Sequence, residues 1–67
     1  MGVMNTIELT GVSTDGWGEA AREALREASK TIRRINKLDV IDSEAVVADG
    51  KILEYHTRVR IFFDIEN

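Results

Sequence analysis

Alternating hydrophobic and polar positions, followed by a change of period, divide this chain into three strands and one helix. Over residues 4–10, Ile7 and Leu9 lie on one side and polar residues on the other, the period-two pattern of a half-buried strand. We expect this strand to stop at Gly11. The polar run 13–16 is then predicted to turn the chain and to supply the N-cap of a helix.

From Trp17 to Ile35 the apolar residues recur with a spacing of about 3.6, which predicts an amphipathic helix of about five turns. The apolar stripe consists of Trp17, Ala20, Ala21, Ala24, Leu25, Ala28, Ile32 and Ile35. Because alanine dominates this stripe, the helix is predicted to lie close to the sheet that it covers. Trp17 at the start of the helix is predicted to be a core anchor or a packing staple.

The remainder of the chain has strand character. Residues 37–47 alternate, but the phase slips around residues 42–44, which indicates a bend or a bulge in one long strand. Asp49-Gly50 is a strong hairpin signal. Residues 51–65 form the most regular pattern in the chain. One predicted face carries Tyr55, Thr57, Val59, Ile61, Phe63 and Ile65, and the other carries Glu54, His56, Arg58, Arg60, Phe62 and Asp64.

These elements predict an α+β fold of β-α-β-β order in one domain over residues 1–67, with the amphipathic helix packed on a three-stranded antiparallel sheet. A core of this size is marginal, and natural chains below about 70–80 residues usually add disulfides, a metal or partner subunits. The chain has no cysteine and a single histidine, His56, so neither disulfides nor a cysteine–histidine zinc site is available. The last strand is also too long for a simple exposed edge. A symmetric homo-oligomer is therefore predicted.

Charge and composition exclude several classes of function. A net charge of −3 argues against nucleic acid as a partner, since phosphate contacts need clustered lysine and arginine. No apolar run approaches the length of a membrane span, and no signal peptide is recognised, so a cytoplasmic protein without a membrane partner is expected. An enzyme is not expected either, because no nucleophile is paired with the single imidazole of His56.

Five short motifs, in order and at matching spacing, make the chain resemble the dodecin family over residues 5–65. They are Leu-Thr-Gly-Val-Ser at 9–13, Trp-x-x-Ala-Ala at 17–21, Ser-Lys-Thr-Ile-Arg at 29–33, Asp-Gly-Lys-Ile-x-x-Tyr at 49–55 and Val-x-Ile-x-Phe at 59–63. The resemblance implies β-α-β-β subunits that assemble into a hollow homododecamer. It also implies storage or sequestration of a small ligand, a flavin such as riboflavin or FMN, without catalysis.

The same resemblance assigns two ligand-binding positions, and this chain departs from the family at both. The tryptophan that stacks on the flavin at the start of the second strand corresponds to Lys37. The glutamine that contacts the flavin edge in the third strand corresponds to His56. A lysine ammonium does not offer the flat surface on which a ring stacks, and two Lys37 side chains across a two-fold axis would repel each other. Flavin binding is therefore expected to be weakened or lost.

Some dodecin-like proteins lack the aromatic residue and are described as calcium-binding instead, and the segment 37–51 resembles that branch. The resemblance favours Asp39, Asp42 and Glu44 as ligands, since hard cations prefer carboxylate oxygens. Two alternatives stay open: the three acids are solvated side chains on a bent strand, and the chain is a purely structural or partner-binding oligomer.

Overall fold

The computed structural model describes residues 2–65 and contains the four predicted elements in the predicted order. They are β1 (Asn5–Ser13), α1 (Trp17–Ser29), β2 (Ile35–Ala48) and β3 (Lys51–Phe63). The three strands form one antiparallel sheet, and the helix packs on one of its faces. The α+β fold class predicted from the hydrophobic pattern is confirmed.

The last strand lies in the middle of the sheet. The strand order is β1-β3-β2, so β3 is hydrogen-bonded on both sides within one subunit. The expectation that the last strand would be an edge in need of a partner was wrong. The unpaired edges belong to β1 and to the 14-residue β2. The argument for pairing with another chain therefore applies to β2.

A tight turn joins β2 to β3. Asp49 and Gly50 have φ of 52° and 73°, so both adopt the left-handed conformation of the two-residue hairpin that Asp-Gly predicts. The predicted slip of phase in β2 is also present, one residue earlier than expected. Val40 pairs with Val59 and Asp42 pairs with Arg58, which leaves Ile41 as the extra residue of a bulge.

The core is small and depends on a close approach between the helix and the sheet. Ala24 and Ala28 of α1 pack against Val59 and Ile61 of β3, and all four are buried. Because alanine is short, the helix backbone lies almost against β1 at Gly11. A Cβ added to Gly11 would lie 1.7 Å from the carbonyl oxygen of Ala20.

The boundaries differ from the prediction at three places. The helix ends at Ser29 and not at Ile35, because Ile35 pairs with Phe63 as the first residue of β2. Strand β1 continues through Gly11 to Ser13, since every one of its residues pairs with β3. Strand β3 stops at Phe63, two residues before the predicted end.

The start of the helix also departs from expectation. Trp17 is 43% exposed and lies edge-on against Tyr55, with ring centroids 4.8 Å apart, so it covers the side of the core and does not anchor its interior. Its carbonyl oxygen accepts a hydrogen bond of 2.9 Å from the buried hydroxyl of Thr57. Gly16 occupies the N-cap position and provides no side-chain cap.

The helix covers β1 and β3 but hardly touches β2. The subunit is consequently long and thin, 51 × 23 × 12 Å, with the β2–β3 hairpin extending past the helix. Apolar side chains exposed on β2 and on the hairpin are Val40, Val46, Val47, Ile52 and Leu53. Among residues 2–65, no helix is long and apolar enough to cross a membrane.

Candidate functional site

All of the residues predicted to bind a ligand or a metal lie on the sheet face that the helix leaves uncovered, which we call the open face. Residues directly opposite each other on antiparallel strands point to the same side, so the register of β2 and β3 defines the members of this face. The pairs are Lys37 with Phe62, Asp39 with Arg60, Asp42 with Arg58, and Glu44 with His56. On the other side of β3, strand β1 adds Thr6, Glu8 and Thr10.

The bulge at Ile41 brings the three predicted calcium ligands to one face. With strict alternation from Asp39, positions 41 and 43 would share its face, and Asp42 and Glu44 would point toward the helix side. The extra residue shifts the phase by one, so Asp42 and Glu44 join Asp39 on the open face. Successive acids in this row are separated by roughly 6–7 Å of strand.

Basic residues of β3 engage the acids of the open face. Arg58 Nη2 donates a hydrogen bond of 2.8 Å to Asp42 Oδ2, and Arg60 Nη2 donates one of 3.2 Å to Glu8 Oε2. Glu8 also lies 3.8 Å from Arg58, so one network crosses all three strands. The hydrogen bond and the charge of Asp42 raise the pKa of Arg58 above its ordinary value. Within residues 2–65, no three acidic or histidine side chains converge on a point where they could hold one metal ion.

His56 lies at the hairpin end of the open face. Its Nε2 is 3.0 Å from Glu54 Oε1, and because a carboxylate only accepts hydrogen bonds, Nε2 carries the proton in this contact. Thr10, Asp42, Glu44, His56 and Arg58 line a half-open depression of about 260 Å³. The structure therefore groups His56 with two of the predicted calcium ligands, Asp42 and Glu44.

Lys37 lies at the other end of the open face, far from His56. Its cross-strand partner Phe62 is six residues from His56 along β3, a distance of roughly 20 Å for an extended strand. One subunit thus does not bring Lys37 and His56 together. Within one subunit, a ligand that contacts both positions would have to span most of the length of the open face.

Phe62 lies on the open face opposite Lys37, and the sequence pattern did not single it out as a candidate site residue. The ammonium of Lys37 lies over its ring, with Nζ 4.4 Å from the ring centroid. The chain has three other aromatic residues. Trp17 lies on the helix, and Tyr55 and Phe63 lie on the side of β3 that faces the helix, opposite to Phe62. The sequence signal that could have identified Phe62 is an aromatic residue among charged residues on the polar face of a strand. The structure adds that this ring lies directly opposite Lys37.

Comparisons of the sequence and of the structure with known proteins both identify the same family. The sequence model of the Dodecin family matches residues 3–66. A protein named dodecin from Thermus thermophilus is 28% identical over 64 residues, which cover 96% of this chain and 93% of the relative. The structure of dodecin from Streptomyces coelicolor superposes with a TM-score of 0.90 at 26% identity, over 97% of this chain and 93% of that one.

The description of another similar solved structure mentions a ligand, calcium. It is a calcium-chelating antigen of Mycobacterium tuberculosis, described as a calcium dodecin with a novel calcium-binding site. It is 29% identical to this chain, with a TM-score of 0.82 and coverage of 97% of this chain and 93% of its own. One protein that is similar to this chain over nearly its whole length is therefore described as having a calcium-binding site.

Proposed function

Because this chain belongs to the dodecin family, we propose that it is a homododecameric protein that binds and buffers a small ligand without catalysing a reaction. The observation that carries the proposal is the family match, which spans residues 3–66 and leaves no room for a different domain within them. The open face provides side chains for binding, and its acids and bases largely neutralise one another. Such an arrangement suits recognition of a polar ligand.

The shape of the subunit supports assembly. The hairpin carries exposed apolar side chains beyond the reach of the helix, and β2 presents a long unpaired edge. A second copy that covers both features would remove apolar surface from water at roughly 25 cal/mol per Å² and satisfy the edge. Closed symmetry then requires every copy to use the same surfaces.

We expect Val47→Lys to break the assembly. Val47 is 60% exposed in the hairpin, and a charge there would be buried without a partner at a subunit contact. Size exclusion with light scattering should give twelve times the 7.5 kDa chain mass for the unmodified protein and a much smaller species for the variant. Val3→Lys is the matched control, because Val3 is 88% exposed and precedes β1. A monomeric unmodified protein contradicts the proposal, whereas a dodecamer that survives Val47→Lys would show that Val47 does not lie at a subunit contact.

We expect riboflavin to bind weakly, and Lys37→Trp to strengthen its binding. Lys37 is exposed at the start of β2, so a tryptophan there would offer a ring at the position that the family resemblance assigns to stacking. Stacking of a flat base on an aromatic side chain is worth roughly 1–3 kcal/mol, so affinity should rise at least about fivefold. Quenching of riboflavin fluorescence measures both proteins. Tight stoichiometric binding by the unmodified chain would show that Lys37 does not weaken the site.

Calcium is the second candidate ligand, favoured by the bulge that places Asp42 and Glu44 on one face and by similarity to the calcium dodecin. In this case Asp39, Asp42 and Glu44 provide carboxylates, with further ligands from a second copy. Calorimetric titration with Ca²⁺ should detect binding that Asp42→Asn with Glu44→Gln abolishes. Asp49→Asn is the control, since it removes an acid from the turn, where asparagine also adopts positive φ. Equal binding by all variants places the ion elsewhere, and no binding of either ligand favours the purely structural oligomer.

A further inference from the structure

We infer that the groove between α1 and β2 receives the end of the β2–β3 hairpin of a second copy of this chain. The groove has a volume of about 320 Å³ and is lined by Gly18, Ala21, Arg22, Leu25 and Leu38. The hairpin end consists of Val47 and Ile52, which pair directly across the sheet. The inference rests on the proposed assembly and adds the surface into which the hairpin docks.

The groove exists because the helix covers β1 and β3 but hardly touches β2. Leu38 and Val40 pair with the buried residues Ile61 and Val59, so both point to the helix side of the sheet. Val40 is nevertheless 57% exposed, and Leu25 on the groove side of the helix is 36% exposed. Apolar side chains therefore border the groove on both sides and stay open to water in a single subunit.

The chemistry of the groove favours an apolar occupant. Arg22 is the charged residue of its lining, and the guanidinium is engaged by Glu19 at 2.7 Å. The other lining residues are glycine, alanine and leucine, which carry no polar side-chain atoms. An occupant is consequently held by removal of apolar surface from water, at roughly 25 cal/mol per Å².

The hairpin end has the matching surface. Ala45 pairs with Tyr55 on the helix side, and Val47, two residues further along the strand, points to the same side. Val47 is 60% exposed and its partner Ile52 is 47% exposed, because both lie past the helix. The tight turn at residues 49–50 holds the two strands together at this end. Such a preformed shape reduces the entropy that docking costs.

The occupant is a second copy because a subunit cannot fill its own groove. Val40 at the groove and Val47 at the hairpin end are seven residues apart on one extended strand, a distance of roughly 20 Å. Each copy thus presents one groove and one hairpin end, and docking between copies covers both. A different protein in the groove would leave the hairpin end in water. The groove also lies beside the unpaired edge of β2, so one partner subunit can cover the groove and the edge together.

Disulfide cross-linking between two variants tests the inference, because the chain has no cysteine of its own. Leu25→Cys and Val47→Cys are prepared separately, one of them with a purification tag, then mixed in urea, refolded together and oxidised. A disulfide requires Cα atoms about 4.4–6.8 Å apart, so it reports a direct contact. We expect the main covalent product to contain one chain of each variant. Val40→Cys with Ile52→Cys is a second, independent pair for the same contact.

Glu23→Cys in place of Leu25→Cys is the matched control. Glu23 is exposed and lies two residues from Leu25, on the side of the helix that borders β1. A cysteine there is equally open to oxidant but does not face the groove. We expect little mixed product when Glu23→Cys is refolded and oxidised with Val47→Cys.

The outcomes separate this inference from the proposed function. Light scattering on the reduced samples establishes which mixtures assemble. If assembled mixtures give no mixed product from either pair, or as much with Glu23→Cys as with Leu25→Cys, the inference is wrong and the proposed function stands. If the unmodified chain does not assemble, the proposed function fails on its own test and the inference fails with it.

Discussion

Gly11→Ala is expected to destabilise the subunit by about 3 kcal/mol or more, at the upper end of what overpacking usually costs. The added Cβ would lie 1.7 Å from the carbonyl oxygen of Ala20 and 3.0 Å from the amide nitrogen of Ala24. Both are backbone atoms of the helix, so no side chain can rotate away. The whole helix would have to retreat from β1 and give up the contacts that its alanines make with β3.

This loss is large for so short a chain. Domains are stable by roughly 0.05–0.15 kcal/mol per residue, and a chain of 67 residues therefore has little in reserve. Urea denaturation followed by circular dichroism, at one fixed subunit concentration, measures the change. We expect a midpoint far below that of the unmodified protein, or no folded baseline at all.

Gly18→Ala is the matched control for this prediction. Gly18 is the second residue of α1, and a Cβ there would meet only the flexible end of Arg22, at 3.7 Å. Alanine favours a helix over glycine by roughly 0.5–1 kcal/mol, so this variant should be as stable as the unmodified protein or slightly more stable. Equal midpoints for the two glycine variants would show that the helix does not approach β1 as closely as the structure has it.

The sequence predicted those parts of the fold whose signals are local. The alternation in β3 and the Asp49-Gly50 turn depend on a few consecutive residues, and both are present in the structure. The end of the helix depends on a distant partner. Ile35 is apolar and suits either a helical stripe or a strand, and its pairing with Phe63 decides in favour of the strand. Gly11 was predicted to end the first strand. Its place within the strand depends on its partner Thr57 and on the helix packed against it, and both are remote in sequence.

The members of the open face could be predicted from the sequence only where the register between β2 and β3 could be predicted. Counting back from the hairpin places Lys37 opposite Phe62, as observed, because the bulge on β3 at Leu53 and the bulge on β2 at Ile41 cancel along the way. Between those two bulges, each residue of β2 pairs with a residue of β3 one position further along than the count from the turn predicts. It would place Asp42 opposite Thr57, on the helix side, whereas the structure pairs Asp42 with Arg58. Single unpaired residues thus decide which acids reach the open face, and no composition rule locates them.

Ile61→Ala is expected to cost about 2–5 kcal/mol of unfolding free energy, the usual range for removing a large buried aliphatic side chain. Among residues 2–65, the most deeply buried apolar side chains are Ala20, Ala24, Ala28, Val59 and Ile61, so at this level of burial the helix contributes methyl groups and β3 contributes the large side chains. When Ile61 is shortened, the alanines of the helix cannot extend into the space. The helix must then move inward or leave a cavity, and either change loosens its contact with the sheet.

A graded series makes the result specific to this core. Ile61→Val removes one methyl group and should cost about 0.5–1.5 kcal/mol, between the unmodified protein and the alanine variant. Ile65→Ala removes the same atoms as Ile61→Ala from a residue that is 63% exposed beyond the end of β3, and should cost less than about 0.5 kcal/mol. Urea midpoints at a fixed subunit concentration rank the three variants. A cost at Ile65 equal to that at Ile61 would mean that stability depends on contacts between copies more than on the core of one subunit, because Ile65 is exposed when the chain is alone.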